Sequence, residues 1–569
     1  MFLCYLPPPL KTVTENKDKG RVNHSMLLFG YGDGGGGPSE EMLTRLERMK
    51  NVDGLPRVKQ SSPQAFFESV ERDGTANMCT WIGELYLELH QGTFTTQAKV
   101  VDDAIGIYED IDKTASELLD QGLNALVQPA EQRGQYCILN PHSWWQHQVI
   151  TLPEVHEDDI TPKQAKMQKH EAVTKDHSGK TLVLVAVPPM SLSSSAETMM
   201  SDVKPVHIEP CEGAFKLENE HLVALIDNLG RVVSLKHKET DREAFKTNTQ
   251  GSVYGNQFVI FDDIPLFWDA WDVMDYHLET RKPITKMRSQ ARILDSSQLR
   301  CSMEMKLSIS DSSWIYQVIS LDSGSPYLRF TTEVHWNENH KFLKVEFPLN
   351  VRSTNATYEI QFGHLQRPTH FNTSWDSARY EVVGHKWADL SEHGFGVALL
   401  NDSKYGHSCH DNIMRLSLLR SSKSPDPTAD MGKHHFTYAI MPHKGSFQES
   451  HVIQHAYSLN NSLVVFPGTL MSQADSYFTI DNPAVVIDTI KLAEDHDDVL
   501  VMRLFEAYGG QATTKIHSSL PVQRAGRCNI LEEATSDNSL NGNIVQWKDG
   551  FIKITLTPFQ IVSLFLYLR

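Results

Sequence analysis

Cysteine is scarce and scattered: seven residues, at 4, 79, 137, 211, 301, 409 and 528, odd in number and without a Cys-x-x-Cys pair. That spacing argues against structural zinc through thiolates and fits a reducing compartment. Positive charge is also short, with 53 Lys and Arg against 71 Asp and Glu and a net charge of −18, so nucleic acid is not an expected partner. No window approaches the roughly 18 uninterrupted apolar residues of a membrane span, and no membrane partner is expected. Met1 to Leu6 is briefly apolar but has neither a basic leading region nor a full hydrophobic one, so no secretory signal is expected. No fixed repeat period is evident. What remains is a 569-residue chain with room for several domains and an ordinary globular balance, 40% hydrophobic and 22% charged.

The chain is organised around Leu27-Leu-Phe-Gly-Tyr-Gly-Asp33-Gly-Gly-Gly-Gly-Pro38. An apolar run ends in an aspartate and four glycines, and a proline opens the helix-like segment Ser39 to Arg48, which reads as strand, loop, helix. Four glycines suit a sharp turn or a close approach to a ligand. Asp33 either caps that turn or, standing at a strand end, faces a substrate. The glycines lack the Gly-Lys-Ser/Thr ending of a Walker loop and the spacing of a dinucleotide fingerprint.

Residues 7 to 25 are polar and irregular. From Glu40 to Leu126 the pattern is mostly helical, with Met42, Leu43, Leu46 and Met49, then Phe66, Phe67 and Val70, at helix spacing, and Ser61-Ser62-Pro63 as an entry signal. The alternating stretch Trp81 to Gly92 interrupts it as extended chain. Beyond Asn140 the grammar is β: many short strands, including Gln257 to Phe261, Phe342 to Phe347, Phe395 to Leu400 and Met414 to Leu419, predict antiparallel sandwiches. The polar stretches His156 to Lys180 and Ser191 to Val203 are expected to be loops.

Asp262 to Asp275 carries five carboxylates and two tryptophans, Trp268 and Trp271. Indole faces stack on apolar sugar faces and carboxylates accept hydroxyl hydrogen bonds, so this is either a sugar site or a loop anchored by buried tryptophans. Gln361 to Asp389, with His364 and His370, matches no ligand spacing and reads as a polar network. Asn401-Asp402-Ser403-Lys404-Tyr405 follows an apolar strand and suits hydroxyl recognition or one tight turn.

Asp33-Gly-Gly-Gly-Gly-Pro38, Trp81-Ile-Gly-Glu-Leu-Tyr-Leu-Glu-Leu-His90-Gln-Gly-Thr93, Gly255-Asn-Gln-Phe through Trp268-Asp-Ala-Trp-Asp272 and Phe362-Gly-His-Leu-Gln-Arg-Pro-Thr-His370 together resemble cytosolic-type α-mannosidases of glycoside hydrolase family 38. Leu400 to Gly406 and Tyr438 to His443 extend the resemblance, which runs from Lys11 to Arg569. It implies a retaining glycosidase acting on terminal α-mannosidic bonds of free oligosaccharides in the cytoplasm, with an aspartate nucleophile, a second acid and a divalent metal, usually zinc. On it, Asp33 matches the loop of the general acid, and His90 and Thr93 line the sugar subsite. Asp262, Asp263, Asp402, Lys404 and Tyr405 are substrate-binding candidates from the β half.

The same resemblance sets an expectation of loss. The family's His-x-Asp metal motif and nucleophile belong to chain preceding Gly30, and an Asn-Gln-Phe-His-Asp motif is expected after Thr96. Here Gln97 to Val100 runs straight into Val101-Asp-Asp103, and no Phe-His-Asp occurs. The chain is therefore expected to be a truncated form with an internal deletion, to bind no metal and to be inactive alone. The alternative is a non-catalytic carbohydrate-binding form, or one associating as a homo-oligomer or with full-length subunits. The expected fold is mainly β, preceded by the end of an α/β domain (1–60) and a shortened helical domain (61–126). A β linker (127–205), a large sandwich (206–450) and a C-terminal β domain (451–569) follow.

Overall fold

The computed structural model describes residues 8–568 apart from 33–34, 77, 85–112, 114–116, 120, 124, 129–134, 154–172, 247–253, 268, 472–475, 535–545 and 549. The chain divides into two units, Met1–Leu85 and Tyr86–Arg569.

The first unit carries the helices Pro8–Glu15, Glu40–Arg48 and Pro63–Asp73. Two serines start the latter pair: Ser39 Oγ accepts from the Met42 amide at 3.3 Å and Ser62 Oγ from the Ala65 amide at 3.2 Å. Pro63 occupies a first-turn position where its missing N–H is no loss. Met42, Leu46 and Met49 are buried, as their helical spacing predicts. The glycine stretch closes on itself, the Tyr31 amide donating to Gly36 O at 3.3 Å. Gly32 and Gly35 take φ of +54° and +68°, which a side chain would resist. Leu27 to Phe29 forms no strand, contrary to its apolar pattern, and Leu28 is exposed. A strand needs a neighbour for its backbone hydrogen bonds, and the described part of this unit offers no sheet.

The second unit is built from antiparallel sheets. Its centre is a sandwich. One layer has nine strands, in the order Met287–Ser296, Arg300–Ser308, Trp314–Asp322, Leu328–Trp336, Gly432–Lys444, Phe395–Asn401, Trp387–Glu392, Asn355–Ile360, Gly363–Pro368. The other has six: Lys282–Pro283, Gln257–Asp262, Lys341–Pro348, Ile413–Arg420, Gly406–His410, Val382–Val383. Between them Phe258, Leu343, Val345, Phe347 and Leu416 meet Met303, Ile319, Phe330, Val397 and Ile440 in one apolar core. Two four-stranded sheets make a C-terminal sandwich around Met502, Leu504, Ile516 and Leu564.

Within the two segments expected as loops, short strands form among the described residues; 156–172 lie outside them. Ser191–Ser194 pairs with Tyr136–Asn140, and Val173–Lys175 pairs with Thr181–Val187. Leu192 is apolar enough to be buried, and its polar neighbours satisfy the ladder with backbone groups. Helix Val452–Asn460, unforeseen in the sequence, buries Val452, Ile453 and Ala456.

Candidate functional site

Strand Lys341–Pro348 alternates, as a strand must. Leu343, Val345 and Phe347 enter the core, so Phe342, Lys344 and Glu346 point to the opposite face of the six-stranded sheet. That second face is also buried. The segment after Asp262, ending in the 3₁₀ helix Asp275–Thr280, and the segment leading to Tyr380 and Glu381 pack there, with Phe261, Val273, Phe342 and Tyr380 in one apolar cluster.

Beneath these segments lies a network of charges. Lys344 Nζ pairs with Glu381 Oε2, both side chains fully buried, and Ser417 Oγ donates to the other Glu381 oxygen. Glu346 accepts from Arg281 Nη2 at 2.6 Å and from Arg415 Nε at 2.6 Å. Burial opposes ionisation of Glu346, but the two arginines outweigh it and hold its carboxyl below the usual range. His277 donates through Nδ1–H to Met274 O at 2.6 Å and rests on Phe261 and Phe342. Burial, reinforced by Lys344, lowers its pKa to about 3, so it is neutral.

The acidic loop itself is clamped from below. Arg420 Nε donates to Asp263 Oδ2 at 2.6 Å, and Nη2 reaches the carbonyls of Asp269 at 2.7 Å and Asp272 at 2.5 Å. Arg420 and Asp263 are 1% and 2% exposed. Burial raises the Asp263 carboxyl against the pull of Arg420. Asp269 Oδ2 gathers the Lys423 amide at 2.5 Å, the Ser424 amide and His340 Nε2, both at 3.2 Å. With Asp263 and Asp269 turned inward, the loop presents apolar groups to solvent: Ile264, Leu266, Phe267 at 76% exposure and Trp271 at 50%.

Asp262 and Asp263 are neighbours with different surroundings. Asp262 pairs with Lys341 and, at 3.4 Å, with Lys282, yet its side chain stays 30% exposed. The Lys341 hydrogen bond holds its carboxyl below the ordinary value. Asp402, Lys404 and Tyr405 stand apart, on a turn at the end of a strand of the nine-stranded layer. Asn401 Oδ1 accepts from the amides of Ser403 at 3.1 Å and Lys404 at 2.6 Å, Asp402 Oδ2 from the Thr437 amide at 2.8 Å, so this group builds the turn. Lys404 Nζ lies 4.6 Å from the centre of the Phe436 ring, and Tyr405 is exposed beside His385. Asp33, His90, Thr93 and Trp268 lie outside the described residues. His364 sits among Trp387, Phe447 and Phe559, a structural place. Among the described residues no group of three or more His, Cys, Asp or Glu is arranged to hold a metal ion.

Lys344, Glu346, Glu381, Arg415 and Arg420 are the residues that sequence reading passes over. In Lys341-Phe-Leu-Lys-Val-Glu-Phe347 the charges look like the solvent side of a one-sided strand, and only the acidic loop downstream of Gln257 hints that something covers them.

The arrangement of sheets is shared with known proteins. A family 38 glycosyl hydrolase from Enterococcus faecalis superposes with a TM-score of 0.65 at 12% identity, over 93% of this chain and 76% of that one. An α-mannosidase from Enterococcus faecalis V583 does so with a TM-score of 0.62 at 14% identity, over 83% and 61%. These establish the fold class. In sequence, residues 8–84 match the glycosyl hydrolases family 38 N-terminal domain, 217–428 the C-terminal domain and 484–564 the C-terminal beta sandwich domain of that family. The chain belongs to glycoside hydrolase family 38. It is 44% identical to human Alpha-mannosidase 2C1 over 609 positions, covering 98% of this chain and 57% of that protein. It is 43% identical to the mouse protein of the same name and 34% identical to Alpha-mannosidase G of Dictyostelium discoideum, each match covering 58% of the relative. The chain thus spans a little over half the length of these relatives. Among the described residues no helix is long and apolar enough to cross a membrane.

Proposed function

We propose that the protein is an α-mannosidase that hydrolyses terminal α-mannosidic bonds of free oligosaccharides with retention, and that a chain of this sequence does not turn over by itself. The observation that carries the first part is identity to proteins named Alpha-mannosidase 2C1 along 98% of the chain. The second part is supported inside the match. It runs over 609 positions, more than the 569 residues available, so the human relative has interior residues without a counterpart here. The junction at Val100-Val101 and the lack of any Phe-His-Asp triplet are where that difference falls on our reading.

In this reading Asp33 supplies the acid, and His90 and Thr93 line the mannose subsite. Asp262, kept ionised by Lys341 and partly open, accepts a sugar hydroxyl; Asp263 is a positioning residue that fixes the loop through Arg420. Asp402, Lys404 and Tyr405 offer a second set of hydroxyl partners. Zinc, the divalent metal expected of the family, finds no fitting group among the described residues, and no step is assigned to it. The described cysteines are all unpaired, in keeping with work in the cytoplasm.

The test is direct. The purified chain, supplied with zinc or cobalt, is expected to leave a chromogenic α-mannoside uncleaved, because covalent and metal contributions are not replaced by positioning. Turnover within about tenfold of a full-length relative overturns the inactivity. A full-length counterpart that fails on the same substrate overturns the mannosidase reading.

A further inference from the structure

A cavity of about 750 Å³ opens where four parts of the second unit converge. They are the start of strand Gln146–Thr151, the Asp322 to Arg329 turn of the nine-stranded layer, helix Val452–Asn460, and the edge of the C-terminal sandwich near Asp481. Its size falls within the roughly 300–1,000 Å³ of small-molecule sites and exceeds what one sugar ring fills.

The chemistry of its wall narrows the ligand. Trp145 is 55% exposed and stands near-parallel to His147, with planes 16° apart and ring centres 6.2 Å apart, so an indole face is open to a ligand on this wall. The same wall carries His221, His451 and His455. The indole N–H of Trp145 and the ring nitrogens of these histidines make no hydrogen bond among the described residues, and each neutral imidazole offers one donor and one acceptor. Burial lowers His455 to about 4, so it stays uncharged. Charge is nearly balanced. Arg300 holds Asp322 in a two-point pair at 2.6 and 2.7 Å, and Arg329, which donates to the Tyr327 hydroxyl at 3.3 Å, is the cation left over among the described residues.

A polyphosphate needs clustered cations and a metal ion needs clustered anions; neither is on this wall. A lipid needs an apolar one. Unengaged donor–acceptor groups beside an exposed indole face suit a ligand whose edges are hydroxyls and whose faces are C–H. We infer that this cavity is a saccharide-binding site for two or three hexose units, one ring lying on Trp145 and its hydroxyls met by His221, His451 and Arg329. The inference stands apart from the catalytic reading and takes from the family only the choice of probe.

Titration of the full chain with mannotriose, and with maltotriose beside it, followed by tryptophan fluorescence and calorimetry, tests this. Saturable binding of either sugar at millimolar concentration is expected. Trp145→Ala should weaken it about tenfold, the loss of one stacking residue. His221→Ala, on a different element, should weaken it as well. Trp271→Ala, in the acidic loop, should leave it unchanged, which separates this site from the one proposed for substrate. Circular dichroism verifies that each variant is folded. Absence of saturation with both sugars overturns the inference, as does binding that survives Trp145→Ala and His221→Ala or that Trp271→Ala abolishes.

Discussion

The two faces of the six-stranded sheet are both covered and chemically opposite. On one, Leu343, Val345 and Phe347 interlock with the nine-stranded layer and exclude water by apolar contact alone. On the other, the same strand buries Lys344 and Glu346, each with a charged counterpart: Glu381 for Lys344, Arg281 and Arg415 for Glu346 and, one strand over, Asp263 for Arg420. The apolar face needs only volume and shape, and conservative exchanges there are tolerated. A buried ion pair is a poor source of stability, because desolving two charges consumes most of their attraction. Its directional bonds instead fix one position of whatever lies on top. What lies on top here is the loop that carries Trp271 and the apolar lip.

The largest effect should come from breaking that clamp. Arg420→Ala leaves Asp263 buried and unpaired, at a cost of about 3–5 kcal/mol in urea unfolding. Tryptophan fluorescence should shift to the red as the Trp271 loop loses its anchor. Replacing both partners by apolar residues, Arg420→Met with Asp263→Leu, should recover the ion-pair part. It leaves the Asp269 and Asp272 carbonyls without their donor, about 1–3 kcal/mol each. If Arg420→Ala costs under about 1 kcal/mol, the charged face is not a framework and the contrast with the apolar face fails.

That contrast also marks how far the sequence could be read. The sandwich strands were legible because alternation has a period of two and the core side of each is apolar: Phe342 to Phe347, Phe395 to Leu400 and Met414 to Leu419 are all present. Family motifs marked the acidic loop and the Asn401 to Tyr405 turn. Burial on the far side was not legible. Lys344 and Glu346 look like solvated positions until chain about 60 residues upstream and 40 downstream folds over them, and single-strand periodicity carries no such long-range information. Leu27 to Phe29 failed for the converse reason: an apolar pattern is a strand only where another strand receives it. Helix Val452–Asn460 was missed because Gln454, buried against Pro483 and Tyr508, interrupts its apolar stripe.

A second test uses protons to separate the faces. His277 lies within the charged face with its pKa lowered from 6.5 to about 3 by burial, then by Lys344. A base whose folded pKa is depressed favours the folded state fully above the unfolded value. As pH falls below 6.5 the unfolded chain takes up a proton that the folded one refuses, so stability drops. Between pH 6.5 and 5 this amounts to about 2 kcal/mol. His277→Phe keeps the ring contacts with Phe261 and Phe342 and removes the titration. Its unfolding free energy should fall less steeply over the same interval, by that amount. An unchanged slope would mean that this face admits water and is not the dry counterpart of the core.

The smallest effect sharpens the boundary of the charged face, one residue from the buried Asp263. Asp262 also pairs with a cation, Lys341, but both side chains remain about a third exposed, 30% and 34%. Water screens such a pair and replaces either partner when it is lost, so Asp262→Asn should change stability by at most about 1 kcal/mol. The pKa lowering by Lys341 has the sign of a group that stabilises above the unfolded value and stops doing so as acid protonates it, yet little free energy rides on it at this exposure. The variant therefore isolates recognition from folding. If Asp262 accepts a sugar hydroxyl, Asp262→Asn weakens mannoside binding at the loop while unfolding stays near wild type. If it unfolds the protein as Arg420→Ala does, the division between the open and the buried carboxylate, on which the assignment of Asp262 to substrate and Asp263 to positioning depends, is wrong.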